Sequence, residues 1–334
     1  MSTDAPPRTP MPDEPFYRGA QSRRWGGLLL LLGLVWLVFE LTSRSAIFAF
    51  ALVEEEASTL PQSFSATHLV VRGGDDQISL HDEDGDQVTV TAVRHGFGWN
   101  SSSARSALQR VDLHITQQGE TLSVEVRHNG GVPFLFGRSP YADVQIGVPE
   151  GMNLDVQTIS GDLAGEGIRS TGILQTVSGQ LTLVDVAGDL QLRTTSGDLQ
   201  LRDAGPGLKI ETISGDVRIE GGSGALRVES ISGDLDLRDL REALLDLDTT
   251  SGDIEVVGVF SGQIHTTSGD VDLRFSPSAN LKLSVTTMSG AIEYDLQLRE
   301  VQQDWRSLQA VVGAGQAQLQ VSTASGDVEL RSDS

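Results

Sequence analysis

A row of aspartates carries the strongest hint of chemistry in this chain. Asp162, Asp198, Asp216, Asp234, Asp253, Asp270 and Asp327 each close a Ser-Gly-Asp triplet. The triplets begin at Ser160, Ser196, Ser214, Ser232, Ser251, Ser268 and Ser325, with Gly161, Gly197, Gly215, Gly233, Gly252, Gly269 and Gly326 between. Two more Ser-Gly pairs, at Ser178 and Ser289, hold Gln180 and Ala291 in the acid slot. Carboxylates repeated along a stack would lie ~5 Å apart and repel by roughly 1 kcal/mol per pair in water, which invites cations between them. Nonapeptide rolls bind Ca²⁺ this way, but their GGxGxD glycines expose carbonyls to the ion. Here a single Gly, interrupted by Gln180 and Ala291, offers too few oxygens for a six- to eight-coordinate ion. The triplets are therefore read as a structural turn ladder whose acids bond nearby backbone amides. No metal, cofactor or catalytic role is expected of them.

The serines make no nucleophile either, because equivalent serines cannot each hold a private base. His68, His81, His95, His114, His128 and His265 are scattered without metal-ligand spacing. His81–Asp86 (HDEDGD) begins like an EF-hand loop but lacks the later spacing and closing Glu. It reads as an acidic hairpin turn between ISL and VTV.

The elements that position these residues follow from the period. The serines from Ser160 to Ser232 recur every 18 residues, the later intervals being 19, 17, 21 and 36. Around Ser196 stand Leu190, Leu192, Thr194, Leu199 and Leu201, and the same slots around Ser214 hold Leu208, Ile210, Thr212, Val217 and Ile219. Apolar spacing of two is strand periodicity with one face buried. Each unit supplies two short strands and two turns, and no single unit can bury its own aliphatic face, so units must stack. The expected fold is all-β, a parallel β-solenoid of ~18-residue coils over residues 151–331. Leu199, Val217 and Leu235 should form one inward ladder, with Gln200, Arg218 and Asp236 outward. The slot two before each Ser, Thr or Ser throughout, shares the inward parity and should form a buried hydroxyl row bonded to backbone. Glycine after each Ser implies positive φ or close backbone approach. The 36-residue interval reads as two periods around a degenerate copy, with 296–312 replacing one coil.

Residues 54–150 read as strands that begin or cap the solenoid, with Gly96–Ala107 as a mobile loop. Residues 1–24 form a Pro-rich tail with Arg8, Arg18, Arg23 and Arg24, and 25–53 a transmembrane anchor region containing the uncharged run Trp25–Phe39. Arginines before the run and Glu54–Glu56 after it place the N-terminus inside and the remainder outside. Ala49-Phe50-Ala51 gives the alternative of a signal peptide cleaved after Ala51. The formal charge of −22 excludes nucleic acid as a partner, since phosphate backbones select basic surfaces. Cysteine is absent, so no disulfide framework supports the fold.

Ala142–Leu163 (ADVQIGVPEGMNLDVQTISGDL), the SGD copies after it and Gly315–Leu330 (GQAQLQVSTASGDVEL) resemble a bacterial β-strand-repeat family of unknown function labelled "putative adhesin". The resemblance covers residues 66–331. It implies a β-solenoid exposed beyond the cytoplasmic membrane, and it carries over no catalytic residues. The expected function is a non-enzymatic, membrane-anchored extracytoplasmic scaffold whose ligand is an envelope polymer, glycan or protein. The alternatives are an envelope-stress regulatory component acting through a membrane partner and, behind it, a carbohydrate-active β-helix enzyme. Nothing in the repeat specifies an oligomeric state.

Overall fold

A computed structural model describes residues 53–130 and 139–333. The N-terminal tail, the apolar run and the Ala51 position lie outside the described residues. No helix among the described residues is long and apolar enough to cross a membrane. The chain from Leu52 onward forms one compact unit.

Strands β1 (Val53–Ser58) and β2 (Gln62–Phe64) lead into a first coil, β3 (His68–Arg72) and β4 (Gln77–Asp82). β5 (Val88–Gly98), helix α1 (Ser101–Leu108), β6 (Val111–Gln118), β7 (Thr121–His128) and β8 (Tyr141–Val148) follow. Short strands then alternate between two sheet faces: β9 (Asn153–Thr158), β10 (Leu163–Glu166), β11 (Thr171–Thr176), β12 (Leu181–Val186), β13 (Leu190–Thr194), β14 (Leu199–Ala204) and β15 (Leu208–Thr212). β16 (Val217–Ser232), β17 (Leu235–Ser251) and β18 (Ile254–Ser268) each turn a corner and serve both faces. β19 (Val271–Phe275), β20 (Leu281–Ser289), β21 (Ile292–Asp295), β22 (Arg299–Gln303), β23 (Ser307–Val312), β24 (Ala317–Ser325) and β25 (Val328–Ser332) complete the chain.

The pairing through the repeats is parallel and in register, so like residues stack on like. Leu163, Leu181, Leu199, Val217, Leu235 and Ile254 form one buried row. Val156, Leu174, Leu192, Ile210, Val228 and Leu247 form the facing row. Each such side chain contributes about 1.5–3 kcal/mol on burial, and every coil in the middle is covered on both sides by its neighbours. One corner of the coil is the Ser-Gly-Asp turn. The other is set by a left-handed residue, Asp185, Asp203, Gly221 and Asp239 in successive coils, with φ between 52° and 76°. Gly and Asp tolerate that conformation better than branched side chains. Pairing slips between Leu237 and Ala243, which absorbs the irregular intervals around Ser251.

At both ends the order in space departs from the order in sequence. β3 lies between β7 and β9, and β4 between β8 and β10. Likewise β24 lies between β18 and β20, and β25 between β19 and β21. The first and last coils of the chain are thus interior coils, clamped on both sides. Antiparallel strands close the stack beyond them: β6 on β7 and β5 on β8 at one end, β23 on β20 and β22 on β23 at the other. Open strand edges template further pairing; among the described strands these reversals end the parallel ladder at β7, β8 and β20, while β21 pairs only with β25.

Three expectations are corrected here. The 36-residue interval before Ser325 contains no degenerate coil; residues 296–312 lie in and around the antiparallel β22 and β23, and the Ser325 coil inserts between those of Ser268 and Ser289. HDEDGD is not a hairpin turn, because β8 pairs with both β4 and β5 and so lies between them. Gly96–Ala107 is not a loop: it comprises the end of β5 and most of α1. Asn100 caps the helix by accepting from Ser103 N at 2.8 Å, and Ser103 Oγ accepts the Asn100 N–H in return. A Cβ at Gly96 or Gly98 would collide with the helix backbone, so these glycines let α1 lie flat on β5.

Candidate functional site

The Ser-Gly-Asp corner is the most regular polar feature of the surface. Its serines and aspartates are exposed and its leading Thr or Ser is buried. The aspartates do not fold back on their own turns. Asp162 Oδ1 accepts the Gln180 N–H at 2.9 Å, one coil further along the stack. Asp198 accepts from Asp216, Asp216 from Asp234, Asp234 from Asp253 and Asp253 from Asp270, at 2.9–3.2 Å. Asp270 accepts from Asp327, and Asp327 from Ala291. Each carboxylate therefore ties its coil to the next one in space. Ala291 stands in the outermost coil, where no further N–H needs an acceptor, so its slot needs no acid.

The glycines are required by close approach. A Cβ on Gly179, Gly197 or Gly215 would run into the carbonyl oxygen of the preceding coil's glycine. Positive φ appears only later in the stack, 134° at Gly233 and 138° at Gly252. That change separates two corner designs. In the first, Gly197 N–H donates to Thr194 Oγ1 at 2.9 Å and Thr194 donates to Gly197 O at 3.0 Å. In the second, Gly233 N–H turns outward to Ser251 O, Gly269 N–H to Ser325 O and Gly326 N–H to Ser289 O. The hydroxyls of Ser230, Thr266 and Thr323 are then buried with no hydrogen-bond partner. The expected bonded hydroxyl row holds in the first design and fails at these three positions.

Beside the acids the corner carries an exposed apolar row: Ile159, Val177, Ile213 and Ile231, with Thr195 between Val177 and Ile213. On the other flank an open groove of about 490 Å³ runs along Asp198, Asp216, Asp234, Asp253 and Asp270. Its floor is a zipper of opposite charges, in which Arg218 and Arg238 both meet Asp236 and Arg238 also meets Glu255. Opposed charges across coils offset the carboxylate repulsion, each exposed pair by ~0–1 kcal/mol.

Two clusters arise from residues distant in sequence. Asp76 is fully buried and accepts the N–H groups of Gly74 and Ala142 at 3.0 and 2.9 Å. His128 Nε2 lies 3.0 Å from its Oδ2, and that hydrogen bond holds the His128 pKa above 6.5 against partial desolvation. The second cluster surrounds His95. Its Nδ1 lies 2.9 Å from Glu54 Oε1 and its Nε2 3.0 Å from Asp143 Oδ2. No spacing rule joins residues 54, 95 and 143; only strand pairing does. His265 Nδ1 lies 2.8 Å from Ser322 Oγ on an open sheet face. Among the described residues no carboxylate hydrogen-bonds the other nitrogen of that ring, so the pair lacks the orienting group of a nucleophilic triad.

A family model described as Toastrack DUF4097 matches residues 66–331, the span on which the SGD phrase shows its resemblance. The chain belongs to the Toastrack DUF4097 family. The matched span starts two residues before β3 and ends within β25, so the Toastrack region takes in every parallel coil and leaves β1 and β2 outside. No curated protein matches the sequence. Among solved structures, a "putative cell adhesion protein" from Clostridium sporogenes is 9% identical, covering 84% of this chain and 100% of that one, with a TM-score of 0.22. A "putative lipid binding protein" from Parabacteroides distasonis is 10% identical, over 84% and 97%, with a TM-score of 0.38. A "putative adhesin" from the same organism is 12% identical, over 84% and 96%, with a TM-score of 0.29.

Proposed function

We propose that this protein is a non-enzymatic scaffold, anchored in the bacterial cytoplasmic membrane with its N-terminus inside, whose stacked coils bind an extended envelope ligand outside. The observation that carries this reading is the corner itself. Its acids are engaged with backbone N–H groups, so they hold the stack, while Ile159, Val177, Thr195, Ile213 and Ile231 stand outward at constant coil spacing beside them. A ridge that repeats once per coil suits a polymer, glycan chain or extended peptide better than a compact small molecule. Anchoring is inferred from the run Trp25–Phe39, arginines before it and Glu54–Glu56 after it.

Binding is tested by presenting immobilised envelope polymers, glycans and extended peptides to the protein and to a variant with Ile213→Asp and Ile231→Asp. The scaffold reading predicts a ligand retained by the parent and lost by the variant, both folded by circular dichroism. Equal retention by both would move binding away from this ridge. Topology is tested by a C-terminal reporter active only outside the cytoplasm, which should function on the full-length chain. A role in envelope signalling would instead make deletion of residues 1–24 abolish function, a deletion the scaffold should tolerate.

A further inference from the structure

β1 lays two carboxylates beside a buried imidazole. Strand alternation places Glu54 and Glu56 on one side of β1, and the register sets Glu56 opposite His95. His95 is 7% exposed, and its ring stacks on Tyr141 with centroids 4.6 Å apart. Nδ1 lies 2.9 Å from Glu54 Oε1 and 3.6 Å from Glu56 Oε1. Nε2 lies 3.0 Å from Asp143 Oδ2, and the other Asp143 oxygen is buried without a partner.

We propose that His95 Nδ1, Glu54 and Glu56 bind a divalent transition-metal ion of the Zn²⁺ class, with Asp143 orienting the histidine. A ligating histidine characteristically gives its second N–H to a carboxylate, which fixes the tautomer and the ring. Nε2–H donated to Asp143 does this, and turns a lone pair on Nδ1 toward two carboxylates. The three donor atoms lie within 4.8 Å of one another. The 2.9 and 3.6 Å separations bracket the roughly 3.3 Å that two ~2.0–2.1 Å bonds at a tetrahedral angle require. Nitrogen beside carboxylate oxygen selects Zn²⁺ over Ca²⁺ and Mg²⁺, which take oxygen ligands. The side chains of Glu54 and Glu56 are 42% and 62% exposed, so the ion has an entry path and a fourth position open to water. Both glutamates precede residue 66, where the family match begins, while His95 and Asp143 lie within it, so β1 completes the site from outside the matched span. An ion here would pin β1, the strand that follows the apolar N-terminal run, to β5 and through Asp143 to β8.

The test uses the full-length chain in detergent, without a histidine tag and stripped by chelator. Equilibrium dialysis against Zn²⁺ should load a single tight ion, and Co²⁺ should give the visible spectrum of a low-coordinate N/O site. Glu54→Gln with Glu56→Gln should weaken binding at least tenfold, and Asp143→Asn by about 10–100-fold. Zn²⁺, and not Ca²⁺, should slow amide exchange across Val53–Ser58. A folded parent that takes up no stoichiometric Zn²⁺ at about 100 µM would overturn the proposal and leave His95 as a structural hydrogen-bonding residue among Glu54 and Asp143. Zn²⁺ uptake unchanged in the double glutamine variant would overturn it too, because the ion would then sit elsewhere. The dialysis of the parent decides the first point whether or not a variant folds.

Discussion

Val217 and Arg218 are neighbours in β16 that differ in the side of the strand they occupy, and Asp at each position should have very different consequences. Val217 is fully buried, in register between Leu199 and Leu235. Losing its burial removes about 1.5–3 kcal/mol. Holding the new carboxyl uncharged at neutral pH, about three units above its ordinary pKa, adds about 4 kcal/mol. The combined loss, roughly 6 kcal/mol, is comparable with the 5–15 kcal/mol that holds a typical domain folded. Arg218 is exposed and among the described residues pairs with Asp236, its Nε 3.2 Å from Oδ2. Breaking an exposed pair and adding a like charge amounts to about 1–2 kcal/mol. Urea unfolding followed by far-UV circular dichroism reads both. With a slope of about 2–3 kcal/mol/M, Val217→Asp should lower the midpoint by about 2–3 M or prevent folding, and Arg218→Asp by about 0.3–1 M. Equal midpoint shifts would refute the inward row and with it the two-faced coil.

The two corner designs predict opposite responses to loss of a hydroxyl. Thr194→Val strands the Gly197 N–H and should cost about 1–3 kcal/mol, whereas Thr266→Val removes an unpartnered buried hydroxyl and should be neutral or stabilising; thermal melts of the two variants compare them. His128 has its pKa raised by Asp76, so this pair's contribution is complete below about pH 6.5 and is lost as pH rises through the raised value. A melting-temperature series from pH 5 to 9, on a scale of about one pKa unit per point, should show that decline in the parent and a flatter profile in His128→Gln. Asn100→Ala removes the cap of α1 and should cost about 0.5–2 kcal/mol, read as faster amide exchange within Ser101–Leu108.

The coil was legible in the sequence because its determinants are local and repeated. Aliphatics at spacing two, Thr two before Ser, and Gly after it fix strand, corner and stacking without reference to distant residues. The spatial order of the terminal coils was not legible, since the copies at Ser289 and Ser325 carry the same phrase and could stack in either order. A signal was present, however. Asp327 marks a coil with a further neighbour to bond, and Ala291 fits an outermost coil, although Gln180 shows that an interior coil can also lack the acid. Helix α1 was hidden because its buried face, Ala104, Ala107 and Leu108, is one i, i+3, i+4 set too short to show a period and mostly small, and because the space it needs comes from Gly96 and Gly98. The opposite corner was missed for a similar reason: Asp185 and Asp203 look like ordinary surface acids until their φ is known. The His95 cluster draws on residues 54, 56, 95 and 143, which only antiparallel pairing at the N-terminal end brings together.

The claim that the corner acids fasten coil to coil, rather than hold ions, is tested most directly by replacing Asp198, Asp216 and Asp234 together with Asn. Asparagine keeps the oxygen that accepts the next coil's N–H and removes the mutual repulsion. The melting temperature of the parent should be unchanged by millimolar Ca²⁺ or by chelator, and the triple variant should be at least as stable in metal-free buffer. Stability gained from a bound ion would scale with its occupancy. A clear Ca²⁺-dependent rise in the parent, abolished in the triple variant, would contradict the fastening role and make the corner a cation site.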